Sequence, residues 1–509
     1  MDDKKPKDPN HDIGKRAREG VMWTVFFETV ENVARFGSSI ILARLLFPED
    51  FGLMGLASIA IQFARRLVSF GFTMVLVQMK KAEREHYDTV FIMNTLLIGM
   101  VTAAMVLGSP YIADFFGEGR LEAVLSVIAF DFLINGIGGV PMANLKRRMR
   151  FKELGIIRTT NHMALTVSSV ILAFMGFGVW SIVYGTVLGS LVGLVMAFAY
   201  SRWYPTFRFR VWALKDTFSF GLWIYVSTYI NFGINKADYF LVGKFLGAGQ
   251  LGYYERAFDL MSMPRKKLVQ KINAVMFSGY SRIQDEPKRV VRGLVKVITY
   301  MSIITVPVMI WLYFAAPSLI TSLYGEKWQQ TILPLQIMCL SGFMDSVTMI
   351  FNPVLNATGM VGNQARRQFF YLLLLVGGVY FGLQWGIAGV AMGVVIASVL
   401  RLALIMHLTI QRLPLTLGRF FRAMRSALVY GAIMAGAIQL ARMVALNWFP
   451  DTSPLMLAVV TAAGGLTYLI SHLVIRFDDI DAVFIELFSE LKRFGRKFPI
   501  VKNLSFVRK

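Results

Sequence analysis

Long apolar runs dominate this sequence, and they admit few folds. A helix needs roughly 20 mostly apolar residues, at about 1.5 Å each, to cross the hydrocarbon core of a bilayer. Residues 89–108 and 456–475 are such runs, and 303–316 and 372–383 are shorter ones of the same kind. Of the 509 residues, 56% are hydrophobic and only 17% charged, where a soluble chain carries about 25% charge. Hydrocarbon offers backbone groups no water, so a crossing segment satisfies them within itself, as a helix does. The expectation is an all-α polytopic membrane protein. Spans read at 20–44, 51–73, 88–109, 120–143, 155–176, 179–200, 217–243, 251–274, 294–315, 329–355, 367–384, 386–409, 422–446 and 454–475 make about 14 transmembrane helices.

The formal charge of +22 suggests nucleic-acid binding only if it forms one patch, and it does not. Lys and Arg sort by alternating loops. One side carries the N-terminal lysines, Lys80, Lys81 and Arg84, the run 146–152, Arg202 to Lys215, Arg265 to Arg292, Arg366, Arg367, Arg412, Arg419 and the tail from Arg476. The other carries little beyond Arg120, Lys244 and Lys327. The basic side is cytoplasmic by the positive-inside rule. Both termini then lie there, which requires an even number of spans.

The chain also repeats itself. Arg44-Leu-Leu-Phe-Pro-Glu-Asp-Phe-Gly52 follows the first span and Lys244-Phe-Leu-Gly-Ala-Gly-Gln-Leu-Gly252 the seventh, an offset of 200. Gly178 to Gly185 echoes Gly386 to Gly393 at an offset of 208. The expected organisation is two parallel six-helix lobes around a central cleft, plus two C-terminal helices. In residue terms, 1–19 is a cytoplasmic basic N-terminus, 20–200 the N-lobe, 201–216 a cytoplasmic linker, and 217–410 the C-lobe. The last two spans fill 411–475, and 476–509 is a cytoplasmic amphipathic basic tail. The tail's Ile480, Val483, Phe484, Leu487, Phe488 and Leu491 share a helical face flanked by Lys492, Arg493, Arg496 and Lys497, which suits an anionic leaflet. Glycines at four-residue spacing, Gly185, Gly189 and Gly193 with Gly389 and Gly393, let helices pack closely within a lobe.

Several functions are disfavoured. There is no P-loop for nucleotide hydrolysis, Cys339 is the single cysteine, and five scattered histidines make no metal-ligand cluster. No cofactor or metal is implied. The outward loops are too short to hold the carboxylates and acceptor of a membrane glycosyltransferase or polymerase. Transport is favoured over catalysis, with a non-transporting scaffold as a further alternative.

Charges placed within spans carry the functional information, because each costs at least about 2.5–3.5 kcal/mol at the bilayer centre. They concentrate in spans 1, 2, 7 and 8: Glu28, Glu31 and Arg35, then Arg65 and Arg66, then Lys236 and Asp238, then Glu255, Arg256 and Asp259. The fourth span adds Asp131, and later spans carry Asp345, Arg401 and Arg442. Arg44, Arg256, Arg401 and Arg442 are expected to snorkel to the membrane surface, and Glu31 and Arg35, at i and i+4, to pair with each other. Arg65 and Arg66 have no acidic partner in their own span, which directs one of them to a cavity. Arginine there suits a phosphate or carboxylate, since its planar guanidinium pairs bidentately with such oxygens.

The stretches 42–53 (Leu42-Ala-Arg-Leu-Leu-Phe-Pro-Glu-Asp-Phe-Gly-Leu53) and 237–254 (Ala237-Asp-Tyr-Phe-Leu-Val-Gly-Lys-Phe-Leu-Gly-Ala-Gly-Gln-Leu-Gly-Tyr-Tyr254) resemble the first and seventh helix–loop regions of Wzx-type polysaccharide flippases. Those belong to the multidrug/oligosaccharidyl-lipid/polysaccharide exporter superfamily. The resemblance implies translocation of an undecaprenyl-diphosphate-linked oligosaccharide from the inner to the outer leaflet of a bacterial inner membrane, by alternating access. By depth in the membrane and position in the lobes, and not by a matched family motif, Arg35, Arg65, Arg66 and Lys236 are the expected cleft residues for diphosphate and sugar, with Glu31, Asp131, Asp238 and Asp259 as orienting or ion-coupling groups. Membrane lipids, a polysaccharide polymerase and a co-polymerase are the implied partners, and no nucleic acid. A multidrug or cation antiporter of the same superfamily is the alternative, but it calls for an acidic cluster without matching buried base.

Overall fold

A computed structural model describes residues 9–68, 72–79, 81–206, 208–212, 222–475 and 477. Among these residues no strand occurs. The helices are α1 (Pro9–Leu45), α2 (Pro48–Val68), α3 (Phe72–Gln78), α4 (Arg84–Phe116), α5 (Arg120–Ile137), α6 (Gly139–Arg147), α7 (Phe151–Phe174) and α8 (Val179–Ser201). They continue with α9 (Leu222–Ser281), α10 (Pro287–Tyr324), α11 (Ile332–Ala357), α12 (Val361–Gly382), α13 (Gly386–Arg412), α14 (Leu417–Ala445) and α15 (Pro454–Val474). The amphipathic tail at 480–497 lies outside the described residues.

Among the described residues, nine helical stretches are long and apolar enough to cross a membrane, and one of them, Gly362–Arg412, contains both α12 and α13. The protein is an all-α, multi-pass membrane protein. Helices α4 and α10, at 33 and 38 residues, outrun the roughly 20 residues a hydrocarbon core requires. Hydropathy marks only the segment in hydrocarbon, whereas the helix continues into the polar interface. From residue 222 on, the stretches read as spans 7 and 8 fall on α9, which departs from helical geometry at Gly247 (φ 83°). That break falls between residues 243 and 251, where the sequence separates its seventh and eighth spans.

The chain forms two compact units, one of residues 1–255 with 323–327 and the other of 256–322 with 328–509. In the first, α7 packs on α1 and α8, and α5 on α2, α4 and α8. The glycine stripe of α8 explains the closest of these contacts. A Cβ on Gly185 would stand 1.9 Å from Ser169 Oγ, and one on Gly189 would stand 2.8 Å from Asn161 O. In the second unit α13 packs against α11 and α12, and α14 against α15. Gly389 and Gly393 repeat the device, their Cβ positions falling 2.2 Å from Gly382 O and 2.3 Å from Gly378 O. In both places the glycine stripe is used inside a unit.

Two of the expected snorkelling arginines are instead paired. Arg401 Nη1 lies 3.5 Å from Asp345 Oδ1, with side chains 14% and 8% exposed, and its guanidinium stacks 4.7 Å above the Tyr371 ring. Arg442 holds Asp451 through two hydrogen bonds, one from Nε at 2.7 Å to Oδ1. A carboxylate on a neighbouring segment offers more than the interface does, because it satisfies the charge without stretching the side chain along the helix.

Candidate functional site

Arg65 and Arg66 occupy the last turn of α2, where cations complement the helix dipole. The next element does not cover Arg65, whose side chain is 55% exposed. Its Nη2 lies 4.0 Å from Asp131 Oδ2 on α5. Asp131 is buried and also accepts hydrogen bonds from Asn135 Nδ2 at 2.9 Å and from Ser190 Oγ at 2.5 Å. Asn135 Nδ2 further approaches Ser190 Oγ at 3.0 Å. Ser190 is eleven residues into α8, roughly 16 Å along the axis, so this network sits deep in the membrane domain. A buried carboxylate with three hydrogen-bonding or ionic partners is satisfied and fixed in place. It therefore anchors Arg65, whose side chain stays more than half exposed.

Arg66 is held differently. Its Nη1 donates to Gln62 O at 3.1 Å, its guanidinium lies 4.6 Å from the Phe232 ring, and its buried Nε has no partner among the described residues. Phe63 packs against Phe232 and Tyr229, with centroids 5.8 and 6.2 Å apart. An aromatic platform therefore flanks the two arginines.

The expected Glu31–Arg35 pair gives way to a shared partner on another helix. Arg35 Nη2 lies 3.0 Å from His162 Nε2 on α7, and Glu31 Oε2 lies 3.9 Å from the same nitrogen. Thr159 Oγ1 also donates to Glu31 Oε1 at 3.3 Å. Glu31 lines a cavity of about 460 Å³ together with Glu28, Gln78, Lys146, Phe151 and Arg158. His162 was one of the scattered histidines of the sequence; nothing along the chain signals that it stands opposite α1.

Lys236 Nζ lies 4.1 Å from the Tyr239 ring. Asp238 is buried, accepting from Tyr254 Oη at 2.8 Å and from Tyr239 N at 2.9 Å. Its partners suit a fixed structural carboxylate. Asp259 is exposed and belongs to the other unit.

The repeated motifs have a reciprocal geometry. A Cβ on Gly52 would stand 1.7 Å from Ala248 O, and one on Gly252 would stand 1.9 Å from Pro48 O. Positions 48 and 248 are equivalent in the repeat, as are 52 and 252, so each motif presses its glycine on the other's backbone. The basic residues that open the motifs act alike. Arg44 Nε donates to Leu323 O at 2.9 Å, and Lys244 Nζ donates to Phe115 O. Each acceptor is the penultimate residue of a helix, α10 or α4. Arg44 thus caps orphan carbonyls at a helix C-terminus in place of snorkelling.

The comparisons with known proteins agree with this architecture. Residues 41–333, more than half of the chain, match the family described as polysaccharide biosynthesis protein. The lipopolysaccharide biosynthesis protein WzxC of Escherichia coli (strain K12) is 24% identical over 395 residues, 76% of this chain and 80% of WzxC. The succinoglycan biosynthesis transport protein ExoT of Rhizobium meliloti (strain 1021) is 26% identical over 348 residues, 68% of this chain and 70% of ExoT. The solved structure of the lipid II flippase MurJ in an inward closed conformation has a TM-score of 0.66 at 15% identity, over 88% of this chain and 98% of MurJ. At that identity the likeness is one of fold. A many-helix membrane fold, two reciprocal repeat motifs and a family match across both of them lead to one assignment: the chain belongs to the polysaccharide biosynthesis protein family.

Proposed function

We propose that this protein is a flippase that moves an undecaprenyl-diphosphate-linked oligosaccharide from the inner to the outer leaflet of a bacterial inner membrane, for surface polysaccharide synthesis. The observation that carries the reading is Arg65, a half-exposed guanidinium anchored on one side by the buried Asp131–Asn135–Ser190 network. An exposed arginine so placed is a cation within reach of a diphosphate, and Arg66 beside Phe232 adds a second. Arg35 and Lys236 complete the proposed set, with sugar hydroxyls meeting Glu31 and His162. The names of WzxC and ExoT, one a lipopolysaccharide biosynthesis protein and the other a biosynthesis transport protein, support the same class of cargo.

The energetics favour a polar path. A sugar-phosphate head forced through hydrocarbon strands many polar groups, each at a cost of several kcal/mol, and a lined cleft removes that cost. An inside-negative potential assists outward movement of negative charge by about 2.3 kcal/mol per charge per 100 mV. In this reading the termini are cytoplasmic, the two six-helix lobes span 20–200 and 217–410, and a polymerase and co-polymerase receive the product.

The test is genetic and biochemical. Deleting the gene should trap lipid-linked oligosaccharide on the inner leaflet and abolish the surface polymer. Arg65→Ala with Arg66→Ala, at normal membrane levels, should reduce export at least tenfold. Unchanged polymer on deletion refutes the function; unchanged export in the double variant removes these arginines from the path.

A further inference from the structure

The richest unassigned charge in the described structure is a cavity of about 580 Å³ on the basic face, lined by Arg84, Arg147, Arg148 and Arg202 with Trp203 and Tyr204. Neither Arg65 nor Asp131, Asn135 or Ser190 is among its lining residues. Among the described residues no Asp or Glu lines it. Arg147 is already committed, donating from Nη1 to the carbonyls of Leu76 and Met79 at the end of α3. Arg84, Arg148 and Arg202 are all exposed, and like guanidiniums gathered in one concavity repel one another unless an anion joins them.

The backbone has been bent to make this cluster. Among the described residues, only two non-glycine residues have positive φ, Met149 at 55° and Arg202 at 49°. Both are at the cavity: Arg202 lines it and caps the end of α8, and Met149 follows Arg148. Helices usually place glycine in the left-handed position past their last turn, and strain of this kind collects at ligand clamps. The Trp203 indole nitrogen, buried in the wall, has no hydrogen-bond partner among the described residues.

The segment leading away from the cavity is built for a membrane surface. Its backbone is tied to the start of α4 by Thr206 N donating to Asp88 Oδ1 and Arg210 N donating to Thr89 Oγ1, each at 3.1 Å. So pinned, it exposes Tyr204, Phe209, Val211 and Trp212. Tyrosine and tryptophan favour the headgroup level, and basic pockets between membrane helices take phosphate headgroups. Soluble phosphate makes no use of exposed apolar side chains beside its site, but a lipid does.

We propose that the arginine cavity at the ends of α4, α6 and α8 binds the phosphodiester headgroup of an anionic phospholipid, whose acyl chains lie against Tyr204, Phe209, Val211 and Trp212. The site serves the protein's own lipid environment and stands whether or not the transported cargo is a lipid-linked sugar.

Native mass spectrometry of the full-length protein, in detergent supplemented with phosphatidylglycerol or phosphatidylethanolamine, tests this without measuring transport. Wild type should retain phosphatidylglycerol preferentially, and Arg148→Ala with Arg202→Ala should lower its apparent affinity at least tenfold. Arg202→Gly provides the folding control, because it relieves the strained φ while removing one cation. It should unfold at the wild-type temperature or above and still lose phosphatidylglycerol. Retention unchanged in both variants overturns the proposal. So does displacement by equimolar sn-glycerol 3-phosphate, which identifies a soluble-phosphate site, or tighter binding of undecaprenyl diphosphate at the same arginines, which identifies a cargo site.

Discussion

The reciprocal glycine crossing makes a demanding prediction. Replacing Gly52 with alanine sets a Cβ 1.7 Å from Ala248 O, half the 3.4 Å at which ordinary contact begins. The obstacle is main chain, next to the break at Gly247, so no side-chain rotation relieves it. Overpacking of this kind costs about 1–3 kcal/mol, and occasionally more; a main-chain obstacle places Gly52→Ala at the upper end, about 3 kcal/mol. Gly252→Ala, at 1.9 Å from Pro48 O, should cost nearly as much. Both substitutions push apart the same two backbone segments, so the double variant should cost less than the two single costs combined, by about 1 kcal/mol or more. The assay is thermal unfolding of purified variants followed by size-exclusion fluorescence. Gly37→Ala and Gly99→Ala serve as controls, since nothing among the described residues lies within 4 Å of a Cβ there. Alanine in a helix interior is favoured over glycine by roughly 0.5–1 kcal/mol, so the controls should hold or gain stability. A Gly52→Ala protein as stable as Gly37→Ala would mean the motifs do not cross. Strictly additive losses would mean that the two glycines serve separate contacts.

Arg401→Ala should destabilise by about 3–5 kcal/mol because it leaves the Asp345 carboxylate buried without its cation, and adding Asp345→Leu should recover most of that in the same unfolding assay. Asp131→Ala should remove one anchor of Arg65 and reduce export, with membrane levels unchanged; export at the wild-type rate would show that the network does not position Arg65. Gly189→Leu should lower the yield of folded protein in membranes, because α7 backbone stands 2.8 Å from that Cβ position; a normal yield would place the α7–α8 contact elsewhere.

The helical architecture was legible because hydropathy reports the surroundings of each residue along its own segment, and the solvent here is lipid. The glycine stripe at 185, 189 and 193 was legible for the same reason: its spacing puts the three on one helix face whatever they meet. Partnership was not legible. Asp345 and Arg401 lie 56 positions apart, and Arg35 and His162 lie 127 apart. Such pairs depend on how helices stack, which no single-helix pattern records. The snorkelling expectation failed at Arg44, Arg401 and Arg442 on one physical point: it compares the bilayer centre with the interface and ignores a third environment, the carbonyls and carboxylates of neighbouring helices. Arg65 was singled out for lacking an acidic partner in its own span, yet its partner, Asp131, sits two spans away.

The chain uses positive charge in ways that differ in strength, and the difference bears on movement. Arg401 and Asp345 form a buried pair whose separation leaves two charges in a poor solvent, so α11 and α13 stay joined through any cycle. Arg44 and Lys244 instead cap helix C-termini, an interaction worth about 0.3–1 kcal/mol when exposed. Both contacts are exposed, and when they part, water replaces the carbonyls at little cost. The glycine crossing beside them stores no charge at all; its contribution is close contact that is lost in one step when the backbones separate. A junction that must open repeatedly is better built from caps and close-packed glycines than from buried ion pairs. On that ground the 44–52 and 244–252 motifs are the part of this fold most suited to opening, and the Arg401–Asp345 pair the least.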